Sequence, residues 1–81
     1  MRVTVRLFAR LSDIAGAPEV TRDVAADATI GAVWRQLATE FPALVPYERS
    51  ISTALNADYA RMSDRVRDGD EVAFLPPVSG G

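Results

Sequence analysis

The group with the most distinctive chemistry in this sequence is the carboxylate that Gly80-Gly81 would carry at the end of the chain. Neither glycine has a Cβ, so this stretch can enter a narrow channel in a partner as bare backbone. Pro76-Pro77 stands before it and stiffens its base, because proline fixes its own φ. On composition alone, a frayed polar end is an equally good interpretation, since Gly and Ser are common in disordered termini.

Two missing residue types exclude most other catalytic chemistry. The chain has no Cys and no His, which removes disulfides, thiolate or imidazole metal ligands and any Ser-His or Cys-His nucleophile. Asp68, Asp70 and Glu71 are close in sequence, but turns commonly collect Asp, and we predict no metal site there. Tyr47 and Tyr59 have no neighbouring residue that would activate a phenol, so we assign neither a catalytic role.

Size and charge indicate one globular domain without nucleic-acid or membrane partners. The chain has 81 residues, 48% of them apolar and 25% charged, which is typical of a single domain. Nine basic and eleven acidic residues give a net charge of −2, and the basic ones are spread from Arg2 to Arg67 without a patch for a phosphate backbone. The chain starts with alternating residues, not an apolar signal, and no stretch approaches the ~18 apolar residues of a membrane span. We therefore expect a cytoplasmic protein.

Hydrophobic periodicity predicts five strands. They are expected over residues 1–8, 18–24, 51–56, 59–62 and 71–75. The first of them alternates strictly between apolar and polar positions. The second is less regular, because Arg22 stands between Val20 and Val24 on the same face, and we predict that it is an edge strand. Turns are predicted at residues 56–58 and 68–70.

One long helix is expected over residues 30–41. Its apolar stripe at helical spacing consists of Ile30, Val33, Trp34, Leu37 and Phe41. Thr29 is predicted to be its N-cap, and Pro42 to end it. We predict that Trp34 belongs to the core rather than to a binding site. One or two further helical turns are expected over Arg10–Ala15, and a connection bounded by prolines over residues 42–48.

Together these elements predict an α+β fold with a β-grasp outline, in which a mixed sheet packs on one main helix. The lack of a second long helix disfavours a doubly wound sheet. We expect the β-grasp domain to span residues 1–77 and a flexible reactive tail to follow over residues 78–81.

Strand alternation also predicts a surface for partners. When the alternating apolar positions face the helix, Phe8, Tyr59 and Leu75 point to the opposite side. If the first and last strands are neighbours, these three side chains gather near the base of the tail. Apolar side chains that share one solvent face mark interaction sites. The alternative is a scatter of single apolar residues, which is normal on protein surfaces.

Residues 68–81 have the sequence DGDEVAFLPPVSGG, which resembles the C-terminal signature of the MoaD-type sulfur carriers, the small subunits of molybdopterin synthase. A looser likeness extends over the whole chain and includes Leu7-Phe8-Ala9-Arg10, Thr29-Ile30 and Leu55-Asn56. The resemblance implies a ubiquitin-like β-grasp fold. It also implies that the chain is not an enzyme by itself but a sulfur donor in molybdenum cofactor biosynthesis.

The chemistry and the partners follow from the same resemblance. It implies that an E1-like adenylating enzyme uses ATP to adenylate Gly81, and that a sulfurtransferase step converts the adenylate to a thiocarboxylate, with no cofactor bound by the chain itself. It further implies that the tail enters the large subunit of the synthase, in an assembly of two small and two large subunits. The residues of the inserted tail would be Pro76, Pro77, Val78, Ser79 and Gly80. Phe8, Tyr59 and Leu75 resemble the docking surface of the family.

Three other functions stay open. A sulfur carrier for thiamin, cysteine or thiolated-tRNA synthesis also ends in Gly-Gly on a β-grasp body, although Pro-Pro-Val-Ser before the glycines favours the molybdopterin branch. A ubiquitin-like modifier would use Gly81 to form isopeptide bonds with lysines. A plain β-grasp binding module would carry an inert tail.

Overall fold

The computed structural model describes residues 1–77. In chain order the elements are β1 (Arg2–Leu7), α1 (Arg10–Ala15), β2 (Glu19–Asp23), α2 (Ile30–Glu40), a 3₁₀ helix (Pro42–Tyr47), β3 (Ser52–Leu55), β4 (Asp58–Ala60) and β5 (Glu71–Leu75). All the predicted strands and both predicted helices are therefore present. The predicted tail, residues 78–81, lies outside the described residues. Over residues 1–77, no helix combines the length and the apolarity needed to cross a membrane.

The five strands form one mixed sheet in the order β2-β1-β5-β3-β4. β1 and β5 run parallel, and every other neighbouring pair is antiparallel. The first and last strands of the chain are therefore adjacent in the middle of the sheet. With α2 packed on one face, this arrangement confirms the predicted β-grasp fold.

The core lies between α2 and one face of the sheet, which we call the inner face. Its main residues are Val3, Val5 and Leu7 of β1, Val72 and Phe74 of β5, and Ile30, Val33, Trp34 and Leu37 of α2. The Trp34 ring meets the Phe74 ring edge-on, with 5.0 Å between the centroids, a geometry that aromatic pairs prefer. Trp34 is 1% exposed, which confirms that it belongs to the core.

The edge position of β2 is also confirmed, and the reason is visible at Arg22. This residue lies on the same side of β2 as the half-buried Val20. Its Nε donates a 2.9 Å hydrogen bond to the Glu40 carboxylate at the end of α2. An outer strand can tolerate an arginine on its inner side because the guanidinium reaches past the edge of the core to a charged partner.

The ends of α2 largely follow the prediction. The Thr29 hydroxyl accepts a 3.1 Å hydrogen bond from the Ala32 amide, so Thr29 is the N-cap. The helix ends at Glu40, one residue earlier than expected, and half-buried Phe41 is its C-cap. The connection predicted over residues 42–48 contains a 3₁₀ helix, Pro42–Tyr47, which the sequence analysis did not predict and which buries Leu44. Proline suits the first position of such a turn, where no amide donor is needed.

Replacing Thr29 with Ala should lower the free energy of unfolding by about 1 kcal/mol, because the Ala32 amide would lose its capping partner. Urea denaturation of the two proteins measures the difference. A Thr29→Ser variant is the control, since it keeps the hydroxyl acceptor and should stay close to the wild type. Equal stability of the Ala variant would contradict the capping role.

The hairpin formed by β3 and β4 is shorter than predicted. Its turn contains only Asn56 and Ala57, so that Asp58 already pairs with Leu55. The expected strand over residues 59–62 was wrong at its end, because β4 stops at Ala60. Beyond it, the backbone groups bond elsewhere, and the Met62 carbonyl accepts from the Gly31 amide at the start of α2. Local alternation could not reveal this contact, which depends on the packing of α2.

Candidate functional site

The face of the sheet turned away from α2, which we call the outer face, has a row of small side chains at its centre. Arg6 of β1 pairs with Ala73 of β5, Ala73 pairs with Ala54 of β3, and Ala54 pairs with Tyr59 of β4. Directly opposed residues on neighbouring strands point to the same side of a sheet. Ala54 and Ala73 therefore form a shallow depression, which we call the alanine floor, between the charged side chain of Arg6 and the aromatic side chain of Tyr59.

A hollow of about 240 Å³ lies at the aromatic end of this row. It is lined by Ala54, Ala57, Tyr59 and Leu75. Tyr59 is 91% exposed, so its ring makes almost no contact within the described part of the chain. An exposed phenol ring offers both an apolar surface and a polar tip to a partner. The structure thus brings together two of the three residues predicted for the docking patch.

Phe8, the third predicted residue, lies on the other side of β5. Leu7 of β1 pairs with Phe74 of β5. Phe8 comes directly after Leu7, and Leu75 comes directly after Phe74, so Phe8 and Leu75 occupy equivalent positions just beyond that pair. The Phe8 ring centroid is 5.6 Å from the guanidinium carbon of Arg6, and the side chain is 38% exposed. Phe8 does not line the hollow. The predicted patch is therefore spread across the end of β5, with Phe8 on one flank and the hollow on the other.

The strand that precedes the predicted tail, β5, is the central strand of the sheet. β5 is bonded to β1 on one side and to β3 on the other, and Leu75 pairs with Ser52. Pro76 is half-buried and Pro77 is exposed. Since neither proline has an amide hydrogen, the ladder of β5 cannot continue past Leu75. The other predicted tail residues, Val78, Ser79, Gly80 and Gly81, lie outside the described residues.

Charged residues border the alanine floor. An Arg6 guanidinium nitrogen is 3.9 Å from a Glu71 carboxylate oxygen, and both side chains are about half exposed. At the far end of β1, Arg2 Nε donates a 3.2 Å hydrogen bond to Asp23. That bond, with the attraction between the charges, lowers the pKa of the Asp23 carboxyl and raises the pKa of Arg2. This second pair lies at the opposite end of β1 from Phe8 and takes no part in the patch.

The acidic residues near β5 support the backbone. Asp68 accepts a 2.7 Å hydrogen bond from the Arg2 amide. Asp70 accepts from the Arg67 amide and from the Asn56 side chain. Within residues 1–77, no three acidic side chains converge in a way that could hold a metal ion. The other tyrosine that was considered, Tyr47, is half-buried against the core.

Sequence reasoning missed the residues that shape the patch without protruding from it. Ala54 and Ala73 form its floor, and Ala57 lines its hollow. Arg6 contacts Phe8 and borders the floor. Alternation places Arg6 on the same side as Phe8, so this residue could have been found. The alanines gave no signal, because a small side chain matters here only through the larger ones around it.

Comparison with known proteins places this geometry in context. Residues 5–81 match the ThiS family. The molybdopterin synthase sulfur carrier subunit of Chlamydomonas reinhardtii is 36% identical over 83 residues, covering 100% of both chains. The crystal structure of small archaeal modifier protein 1 from Haloferax volcanii has a TM-score of 0.86 at 34% identity, covering 100% of both chains. The third similar structure is a complex of subunits 1 and 2 of the molybdopterin-converting factor from Helicobacter pylori. One chain of that complex is 28% identical to the present chain, with a TM-score of 0.70 and 100% of both chains covered.

Proposed function

The chain belongs to the ThiS family of small, non-catalytic sulfur carriers, and we propose that it is the sulfur-carrier subunit of a molybdopterin synthase. The observation that carries this proposal is end-to-end similarity to curated sulfur carrier subunits of that enzyme, at 33% and 36% identity over the whole chain. The DGDEVAFLPPVSGG ending supports the same assignment. A fold alone would not, because many functions share one fold.

The proposed chemistry takes place at the carboxylate of Gly81. That carboxylate attacks the α-phosphate of ATP on an activating enzyme, and pyrophosphate leaves. A hydrosulfide ion then attacks the carbonyl carbon of the acyl-adenylate, the C–S bond forms, and AMP leaves with the C–O bond electrons. Adenylation is needed because a carboxylate oxygen is a poor leaving group, and the covalent intermediate divides one difficult step into two easier ones. The product is a thiocarboxylate at Gly81.

The large subunit of the synthase supplies the catalytic residues for delivery. The thiocarboxylate sulfur bonds to a carbon of the cyclic pterin precursor as a C–O bond of that carbon breaks and its oxygen leaves. Water then hydrolyses the bond between the Gly81 carbonyl carbon and sulfur, so that the sulfur stays on the pterin and Gly81 returns to a carboxylate. Since a dithiolene contains two sulfur atoms, each molybdopterin consumes two loaded carriers. The chain is therefore a co-substrate subunit of the synthase rather than an enzyme.

The geometry of the described residues suits this role. The tail starts from the central strand, whose position is set by neighbours on both sides. Phe8 lies on one flank of the end of β5, and the hollow lined by Tyr59 and Leu75 lies on the other. A partner that grips the patch and admits the tail makes two linked contacts, and linked contacts raise the apparent affinity. We propose this arrangement for both the activating enzyme and the large subunit, the latter in an assembly of two small and two large subunits.

Reconstitution tests the proposal directly. The chain, loaded as a thiocarboxylate, is mixed with a large synthase subunit and the cyclic pterin precursor, and products are followed by chromatography and intact mass. We expect molybdopterin to form, with two carriers returned to the carboxylate form for each product. Unloaded carrier is the control and should give none. Absence of molybdopterin from loaded carrier bound to the large subunit would refute the assignment.

A modifier function is the second candidate, and the match to small archaeal modifier protein 1 favours it. The same activated Gly81 would then be transferred to lysine amines of other proteins. Incubation with the activating enzyme, ATP and a lysate distinguishes the two, because a modifier gives isopeptide adducts that survive reduction and denaturation. Robust sulfur delivery to a thiazole-forming enzyme would instead indicate a thiamin carrier.

A further inference from the structure

The outer strand β2 has one side turned away from the sheet, and we call that side the free edge. Within residues 1–77, no strand lies beside it. At the end of the ladder between β1 and β2, Met1 and Val24 exchange two backbone hydrogen bonds, of 2.9 and 2.7 Å. Because bonded and non-bonded pairs alternate along an antiparallel ladder, the backbone groups of Glu19, Thr21 and Asp23 point outward. A row of outward backbone groups is a template for another strand.

Two of the three outward carbonyls already accept hydrogen bonds from side chains. Arg22 Nη1 donates to the Thr21 carbonyl at 2.7 Å. From α2, Gln36 Nε2 donates to the Asp23 carbonyl at 3.3 Å. Each bond takes up an acceptor that the amides of a neighbouring strand would need. The free edge is therefore covered by one side chain of β2 and one of α2.

The Arg22 side chain is held in this position by Glu40, the last residue of α2. Arg22 Nε and Nη2 donate to the two carboxylate oxygens of Glu40. A guanidinium favours this two-point geometry, because its planar fork matches a carboxylate. The Arg22 side chain is only 23% exposed, so the pair is partly shielded from water. Helix α2 thus anchors both of the side chains that cover the free edge.

The acidic side chains of β2 also oppose pairing with a second copy of the chain. Two copies that pair antiparallel about Thr21 would join all their outward backbone groups. This register places Glu19 of each copy opposite Asp23 of the other. Like charges directly opposite each other destabilise a sheet. Arg2 offsets part of the Asp23 charge, so the covered carbonyls provide most of the obstruction.

We propose that Arg22 and Gln36 block the free edge of β2 and prevent this chain from pairing strand to strand with a second copy of itself. The inference rests on the fold and not on the proposed function. Without these two side chains, the free edge offers a full row of donors and acceptors, and two copies pair antiparallel about Thr21. The sheet would then continue from one molecule to the next, on the side remote from the hollow.

A double variant, Arg22→Val with Gln36→Ala, uncovers both carbonyls. We expect it to self-associate at least about 10-fold more tightly than the wild type, because each copy gains two acceptors for interstrand hydrogen bonds. Sedimentation velocity over a concentration series measures the dimer fraction, and circular dichroism checks the fold. If valine at position 22 prevents folding, Arg22→Thr replaces it, since threonine suits a strand and lacks the guanidinium. A folded double variant that associates no more than the wild type would overturn the inference.

A Thr21→Pro substitution in the double variant tests whether the association uses the free edge. The Thr21 amide points outward, so proline removes a donor to the second copy without breaking the ladder to β1. We expect the dimer to be lost. A dimer that persists would use another surface, and the inference would fall.

Glu40→Gln is the matched control for the lost ion pair. It removes the charge that faces Arg22 but leaves the bonds to the Thr21 and Asp23 carbonyls in place. We expect this variant to associate no more than the wild type. If it dimerises as strongly as the double variant, loss of the ion pair explains the dimer, and the blocking role is refuted.

The register is tested by charge. In the double variant, Glu19→Lys turns the repulsion between Glu19 and Asp23 of the other copy into an attraction. We expect the dimer to become about 2- to 10-fold tighter, because opposite charges on directly opposed residues stabilise a sheet. Association that is unchanged or weaker would exclude antiparallel pairing about Thr21 and overturn the proposal.

Discussion

Removing Gly81 should reduce sulfur loading and delivery by about 100-fold or more, because a reacting group displaced by even 1 Å can lose that much rate. The shortened tail would end at Gly80, about 3.5 Å short of its proper reach. Its carboxylate would then miss the α-phosphate of ATP on the activating enzyme. Intact mass after incubation with that enzyme, ATP and a sulfur donor measures the loaded fraction.

Removing Gly81 should leave the stability of the fold unchanged. The buried apolar core extends from Val3 to Phe74, so the Tm of the shortened protein should stay within about 1 °C of the wild type. A variant with one extra residue after Gly81 is the companion test, since it keeps every native residue and moves only the carboxylate. Normal sulfur transfer by either variant would show that Gly81 is not the reactive end.

Replacing Phe8 with Asp should weaken association with the large subunit or the activating enzyme by roughly 2–4 kcal/mol, or about 30- to 1,000-fold in Kd. An aromatic anchor would be lost, and a carboxylate would be desolvated in its place. The Phe8 side chain is 38% exposed and does not belong to the core cluster, so the fold should survive. Calorimetric titration of each partner gives the affinity, and circular dichroism checks the fold.

Thr21→Asp is the matched control for charge. Thr21 is exposed on β2, and its Cα pairs with Thr4, two positions along β1 from Arg6. The Thr21→Asp substitution adds the same negative charge as Phe8→Asp to the outer face of the sheet, but at a position outside the patch. We expect its affinity to stay within about twofold of the wild type, because rim charges contribute little. Equal affinities for the Phe8 and Thr21 variants would place the docking surface elsewhere.

Much of this protein could be predicted from local sequence. Strict alternation in β1 and β5 placed Val5 and Phe74 inside and Phe8 and Leu75 outside, because a strand has a period of two residues. The stripe and the Thr29 cap defined α2 almost to the residue. The glycines at residues 80 and 81 suggested an unobstructed tail. Each of these inferences depends only on residues close together in the chain.

The remaining features of the fold and of the patch depend on contacts between residues that are far apart in the chain. β4 stops at Ala60 because the Met62 carbonyl bonds to the start of α2. The hollow exists because β3, β4 and β5 bring Ala54, Tyr59 and Leu75 together, and an alanine forms a floor only beside larger side chains. The positive φ of Ala9, 51°, is likewise absent from any local pattern, since alanine alone predicts no positive φ. Local sequence was enough to predict the strands, the main helix and most of the core, and it predicts Gly81 as the reactive end. Tertiary packing determined the shape of the proposed docking surface, because that shape depends on which strands are neighbours.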